Sequence, residues 1–141
     1  MLRLKVVSVG RPKERWIEEG VEEYQRRLQP VMAIETVWVK DDNQLAALII
    51  KEPRVVCLDP QGRLFDSEGF SSFLVQQFEE GGSRLAIVIG GAEGLPASIK
   101  EGKLLLSLSP LTFTHQLTRL VLLEQVYRAI EISKGSPYHK R

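Results

Sequence analysis

Polar and apolar positions follow two different periods along this chain, and the switches between them mark its elements. "LRLKVVSVG" reads as a strand ending at Gly10, with Pro12 helping to open the helix that follows. In that helix Ile17, Val21, Tyr24 and Leu28 recur at spacings of four, three and four, the stripe of a helix docked on a core, and Pro30 stops it. "VMAIETVWV" alternates as a strand does, and "NQLAALIIK" predicts a short helix closed by Pro53. "RVVCLD" is short, apolar and β-branched, as in a strand buried on both faces. "PQGR" then reads as a turn, with Gly62 available for positive φ. Asp66 is placed to cap a helix over "DSEGFSSFLVQQFEEG", ending on Gly81-Gly82. "RLAIVIG" is a further buried strand, "ASIKEG" a short helix, "KLLLSLS" a fifth strand, and "QLTRLVLLEQVYRAIEISKG" a long final helix. Strands alternating with helices, several fully apolar, predict one α/β domain with a mainly parallel sheet.

Composition narrows the class without naming a chemistry. The chain has 141 residues, 43% hydrophobic and 26% charged, the balance of a soluble single domain with a real core. No apolar run approaches the roughly 20 residues of a membrane span. The basic residues Arg3 and Lys5 interrupt the N-terminal run, so it reads as a strand and not as a signal peptide. A single cysteine, Cys57, has no internal disulfide partner, which makes a cytoplasmic location the expectation. One cysteine and two histidines also argue against a metal site. Net charge is +1, but from His115 onward five Arg or Lys face two Glu. Three of the five fall in the last eight residues.

Ligands of open α/β sheets bind beyond the carboxyl ends of the strands. Three unusual turns stand there: "LDPQG" (58–62), "IGGAEG" (89–94) and "LSLSPLTFTH" (106–115). The glycine turn is neither a P-loop, since Lys100 comes too late and no hydroxyl follows it, nor a dinucleotide fingerprint, since "GGAEG" has the wrong spacing. Glu93 in the turn would also repel a pyrophosphate. The turn therefore suits a ligand without phosphate, or a cationic one, and S-adenosylmethionine is one molecule of that description.

The final helix is apolar around most of its circumference, which predicts a second partner beyond the sheet, most economically another copy of the chain. Its clearest polar arc holds Glu124, Arg128 and Glu131, with Glu before Arg in the favourable i, i+4 order. Arg119 projects among apolar residues instead, as a snorkelling cation or as one aimed at an anion such as an RNA phosphate or a carboxylate. The terminal "SPYHKR" places an aromatic ring, an imidazole and two cations together, a mixture able to stack on a base and hold phosphates.

"LD-x-x-G" (58–62), "IGG-x-E-G-L" (89–95), "LSLSPLTFTHQLTR" (106–119), "LLEQVYRA" (122–129) and the terminal "YHKR" occur in fixed order. Together they resemble the ribosomal large-subunit RNA methyltransferase H family, small SPOUT enzymes that methylate N3 of a pseudouridine in 23S rRNA. The resemblance spans the whole chain and is strongest from Ile89 onward. It implies an α/β-knot: a mainly parallel sheet flanked by helices, with a C-terminal trefoil knot over roughly 84–134 and a basic tail at 135–141. Periodicity alone would predict an unknotted sheet. The resemblance also implies S-adenosylmethionine bent among the knot loops, against Leu58, Gly90, Gly91, Leu108, Ser109, Pro110, Leu111, Thr112 and Phe113. It implies a homodimer through the C-terminal helix, with RNA of the assembled ribosome meeting the site at the interface. His115, Glu124, Tyr138 and His139 become the catalytic candidates, and Arg119, Arg128, Lys140 and Arg141 the RNA-binding ones. Two departures stand out. "KDDNQLAALIIKEP" is shorter than is typical, and Lys140 stands where some members have arginine, which alone offers bidentate geometry.

Methyl transfer from a sulfonium asks the protein mainly to align donor and acceptor. A pseudouridine N3 must also lose its proton, so a base or water relay among His115, Glu124 and His139 would add about 10²–10⁴-fold. Rival readings are a SPOUT methyltransferase acting on tRNA and a non-catalytic ribosome-binding factor. A hydrolase using Ser107 or Ser109 with His115 lacks the G-x-S-x-G elbow.

Overall fold

The structure, a computed structural model, describes residues 1–140. Five strands and five helices alternate strictly: β1 (Leu2–Val9), α1 (Arg15–Leu28), β2 (Met32–Val39), α2 (Asp42–Ile49), β3 (Val55–Leu64), α3 (Ser67–Glu80), β4 (Arg84–Ile89), α4 (Ala97–Lys100), β5 (Leu104–Ser107) and α5 (His115–Ser133). The sheet runs in the order β2-β1-β4-β3-β5, and every neighbouring pair is parallel. This is the α/β class that the alternation predicts.

Each face of the sheet buries its own apolar cluster. On one face α1, α3 and α5 set Ile17, Val21, Leu28, Phe70, Leu74, Leu122, Leu123 and Val126 against Leu4, Val6, Ile87 and Leu106. On the other, Leu45 and Ile49 of α2, with Leu95 and Ile99, cover Val7, Val39, Cys57 and Val88. Successive strand residues serve opposite faces, so a two-faced strand reads as an unbroken apolar run. "LAIVI" in β4 is fully buried for that reason.

Caps fix several helix starts. Asp66 accepts from the Gly69 amide at 2.7 Å, Asp41 from the Gln44 amide at 2.9 Å, and Thr114 from the Leu117 amide at 3.1 Å. The first helix begins three residues after Pro12, behind Glu14.

One expected turn is different in kind. β3 does not end before "PQGR" but continues to Leu64, and Gly62 does not adopt positive φ. Leu58 and Arg63 both pair with Leu106, so residues 59–62 bulge outward between two contacts with one residue of β5. A Cβ on Gly62 would stand 2.6 Å from the Leu106 backbone. Glycine is required here by the close approach of two backbones, not by turn geometry.

Candidate active site

Strand register brings the three unusual turns to one rim. Ser8 pairs with Ile89, Cys57 with Val88 and Leu58 with Leu106. The residues just beyond, Gly10 after β1, Gly90 after β4, Asp59 at the start of the β3 bulge and Ser107 at the end of β5, therefore follow one another across four adjacent strands on one side of the sheet. Leu58, Gly90, Gly91 and the stretch 108–113 are thus gathered on one edge of the sheet.

Local bonds shape each turn. Gly91 and Gly94 form an isolated bridge, with the Gly94 amide donating to the Gly91 carbonyl at 3.0 Å. A Cβ on Gly90 would meet the Gly94 backbone at 2.7 Å, so the turn closes only with glycine there. Asp59 is buried to 8% exposure and accepts from Lys100 Nζ at 2.7 Å and from the Gln61 amide at 2.9 Å. The bond from Lys100 is the main reason its carboxyl sits below the usual range. Ser107 Oγ donates to the Ser109 carbonyl, and the Leu111 amide donates to Ser109 Oγ at 2.9 Å, which folds the last turn back on itself. Glu93 is exposed at the turn's tip.

Beside this rim lies an open cavity of about 650 Å³, lined in part by Phe65, Phe70, Leu106, Leu108, Phe113 and His139. Leu108 and Phe113 belong both to the rim and to the cavity wall. Phe70 carries no signal in the sequence beyond the periodicity of α3, and Phe65, just before the Asp66 cap, carries none.

The tail folds back onto α5. Tyr138 packs edge-on against Tyr127, with ring centroids 4.7 Å apart, and its hydroxyl donates to Glu124 Oε2 at 2.8 Å. Arg128 donates to the same carboxylate oxygen at 2.8 Å, lies over the Tyr138 ring, and reaches His139 Nδ1 at 3.1 Å. A guanidinium only donates, so Nδ1 accepts and the ring proton sits on Nε2. Burial, and then the bond to Glu124, push the Tyr138 hydroxyl above the ordinary phenol range, so it serves as a donor and not as a base. Glu124 also accepts from Gln125 Nε2 at 2.9 Å, which leaves its oxygens engaged.

The four catalytic candidates do not form one group within a single chain. Glu124, Tyr138 and His139 meet in the tail cluster. His115 opens α5 beside Gly10, its Nε2 3.6 Å from where a Gly10 side chain would begin. Glu124 lies nine helical steps further along α5, a rise of about 13 Å.

Among the RNA-binding candidates, Arg119 needs correction. Its side chain is 5% exposed, and both of its terminal nitrogens donate to the Glu18 carboxylate of α1. Of the two anions left open by the sequence, the carboxylate is the one present, and a guanidinium this buried and already charge-paired is out of reach of a phosphate outside. Arg128 is bound within the tail cluster and Lys140 is exposed. Arg141 lies outside the described residues. Among the described residues no group of three or more His, Cys, Asp or Glu could hold a metal ion, and no helix is long and apolar enough to cross a membrane.

Comparison with known proteins places these features in context. A family model described as "Predicted SPOUT methyltransferase" matches residues 2–139. A Protochlamydia amoebophila protein named ribosomal RNA large subunit methyltransferase H is 56% identical over 140 residues, which cover 99% of this chain and 100% of that one. A protein of the same name from Thermus thermophilus is 43% identical over 141 residues, covering 99% of each. Among solved structures, a probable methylase family protein from Haemophilus influenzae superposes with a TM-score of 0.57 at 11% identity, over 94% of this chain and 66% of that one. A chain from a structure titled "Structural insights into the 2-OH methylation of C/U34 on tRNA" gives 0.55 at 15% identity, over 95% and 98%. At such identities the two structures bear on the fold alone.

Proposed function

Because this chain belongs to the ribosomal RNA large subunit methyltransferase H family of SPOUT methyltransferases, we propose that it methylates N3 of a pseudouridine in 23S rRNA, with S-adenosylmethionine as donor and the assembled ribosome as substrate. The observation that carries this reading is the convergence of the 58–62, 89–94 and 106–113 turns on one rim beside a cavity of ligand size. The rim suits the donor in its chemistry. It offers backbone groups at Gly90 and Gly91, where any Cβ at Gly90 would obstruct the turn, and apolar walls at Leu58, Leu108 and Phe113. Lys100, the cation beside Asp59, is neutralised there rather than offered to a phosphate. When bound, S-adenosylmethionine supplies an electrophilic methyl group on a sulfonium.

The protein's own residues would then position and deprotonate. Leu108 and Phe113, shared by rim and cavity, put the acceptor base next to the donor methyl. His139 on the cavity wall, its Nδ1 engaged by Arg128 and its proton on Nε2, would donate a hydrogen bond to the acceptor base, with Glu124 and Tyr138 fixing the arginine. The imide proton would pass to a water relay or to His115. His115 stands at the β1 end of the rim, within reach of a site completed by a second copy. Exposed Leu111 and Trp16, with half-buried Leu117, Leu120 and Val121 on α5, support a homodimer through that helix. Membership of the SPOUT methyltransferases, matched over residues 2–139, is what supports a trefoil knot over 84–134 within a single domain. A cytoplasmic location follows from the substrate.

Labelled methyl transfer to free 23S rRNA, large subunits and whole ribosomes, with mapping of the modified nucleotide, tests the reading. Incorporation at one pseudouridine of the ribosome is expected, and incorporation only into tRNA would overturn it. A Tyr138→Ala/His139→Ala variant should lose methyl transfer while calorimetry finds its affinity for S-adenosylmethionine nearly unchanged.

A further inference from the structure

Many cations of this protein are paired. Lys5 meets Glu52, Arg54 meets Glu80, Lys100 meets Asp59, Arg119 meets Glu18 and Arg128 meets Glu124. Three exposed cations at the carboxyl ends of β1 and β2 are different. Arg11, Lys13 and Lys40 have no ion-pair partner among the described residues. A solvated loop would leave such side chains on mobile backbone, but here the backbone is braced. Gln116, buried at the start of α5, donates from Nε2 to the Arg11 carbonyl at 3.0 Å and accepts at Oε1 from the Lys13 amide at 3.4 Å. The Gly10 amide donates to the Val39 carbonyl at 2.8 Å, which ties this loop to the end of β2. There Gln44 Oε1 accepts from the Lys40 amide at 2.7 Å. Trp38, two residues before Lys40, leaves 48% of its surface exposed. The group adjoins the reactive rim. Gly10 lies beside His115, and Val9 is 3.7 Å from where a Gly91 side chain would begin.

We propose that Arg11, Lys13, Lys40 and Trp38 form a docking surface for RNA flanking the target nucleotide, resting on the reading of the chain as an RNA methyltransferase. Braced cations hold phosphates at fixed positions, and an exposed indole offers a stacking plane to an unpaired base. Exposed Glu14 and Asp42 border the patch, whereas Asp41 is occupied in capping α2. Gln116 acts as a positioning residue, through the loop that carries two of the cations.

The test compares an Arg11→Ala/Lys13→Ala/Lys40→Ala variant with a control that removes as many unpaired cations, Arg3→Ala/Lys51→Ala/Lys103→Ala, from the opposite end of the sheet. Binding of a 23S rRNA fragment and methyl transfer are both measured across a salt series. The first variant should bind the fragment about tenfold more weakly near physiological salt, with KM for the methylated substrate rising in parallel. Its log–log salt slope should fall by about 2, as the loss of three phosphate contacts to flexible RNA requires. Trp38→Ala should weaken binding about three- to tenfold without changing the slope, because stacking carries no counterion release. The control should match the wild-type protein. Unchanged binding and slope in the first variant, or equal losses in both, overturns the proposal. A wild-type protein that binds RNA through these residues but methylates no ribosomal substrate would uphold this surface and remove the proposed function.

Discussion

Asp59 and Lys100 make a pH-sensitive contact at the rim, across 41 positions of sequence. The unfolded carboxyl titrates near pH 4, at about 3.9, and the folded one lower. Its stabilisation is therefore complete above about pH 4 and disappears as pH falls through the folded value. Asp59→Asn should cost about 1–2 kcal/mol at pH 7, and the gap from the wild-type protein should close in acid. Urea midpoints measured from pH 7 down to pH 2 check both the size and the sign. Half of this contact was legible in the sequence. The "LD-x-x-G" motif marks Asp59, but nothing near Lys100 announces its partner. Arg119 teaches the same lesson, because a cation on an apolar helix face is visible as an exception to the periodicity. The carboxylate that explains it, Glu18, lies 101 positions away on another helix.

Elements were legible wherever local chemistry and tertiary position agree. The stripe of α1, the Asp66 cap of α3 and the apolar run of β4 all read directly from period and capping. β3 broke the rule because Pro60, Gln61 and Gly62 are turn residues locally, while pairing with Leu106 and Ser107 of β5 draws the chain onward as strand to Leu64. Pairing of that kind is non-local and leaves no mark on a window of ten residues. Gly62→Ala should lose about 1–3 kcal/mol, since its Cβ would collide with backbone that cannot rotate away. Because the displaced backbone leads directly into Leu108, affinity for S-adenosylmethionine should fall as well. Chemical denaturation and calorimetry on the same variant check both, and a loss of stability alone would separate the bulge from the cofactor rim.

At the scale of the whole molecule, the sequence shows that ligand-facing turns gather at one side, since parallel strands all present their carboxyl ends together. It does not show the order β2-β1-β4-β3-β5, nor that the basic tail docks on α5 through Tyr138 and Glu124. Both depend on partners chosen across the chain. The lone thiol sits where this architecture is tightest: Cys57 is wholly buried, paired in register with Val88 on one side and Leu105 on the other. Burial raises its pKa, so it is a poor nucleophile as well as an inaccessible one. Modification by a thiol reagent then requires the centre of the sheet to part, and its rate reads the frequency of that event. A donor that binds only the closed protein slows the event by the factor 1 + [L]/Kd, about 100-fold at 100 times Kd. Cys57 is thus an internal clock for occupancy of the rim, readable in a protein that is transferring no methyl groups. Labelling that ignores added S-adenosylmethionine would mean that β3 opens without disturbing the cofactor rim.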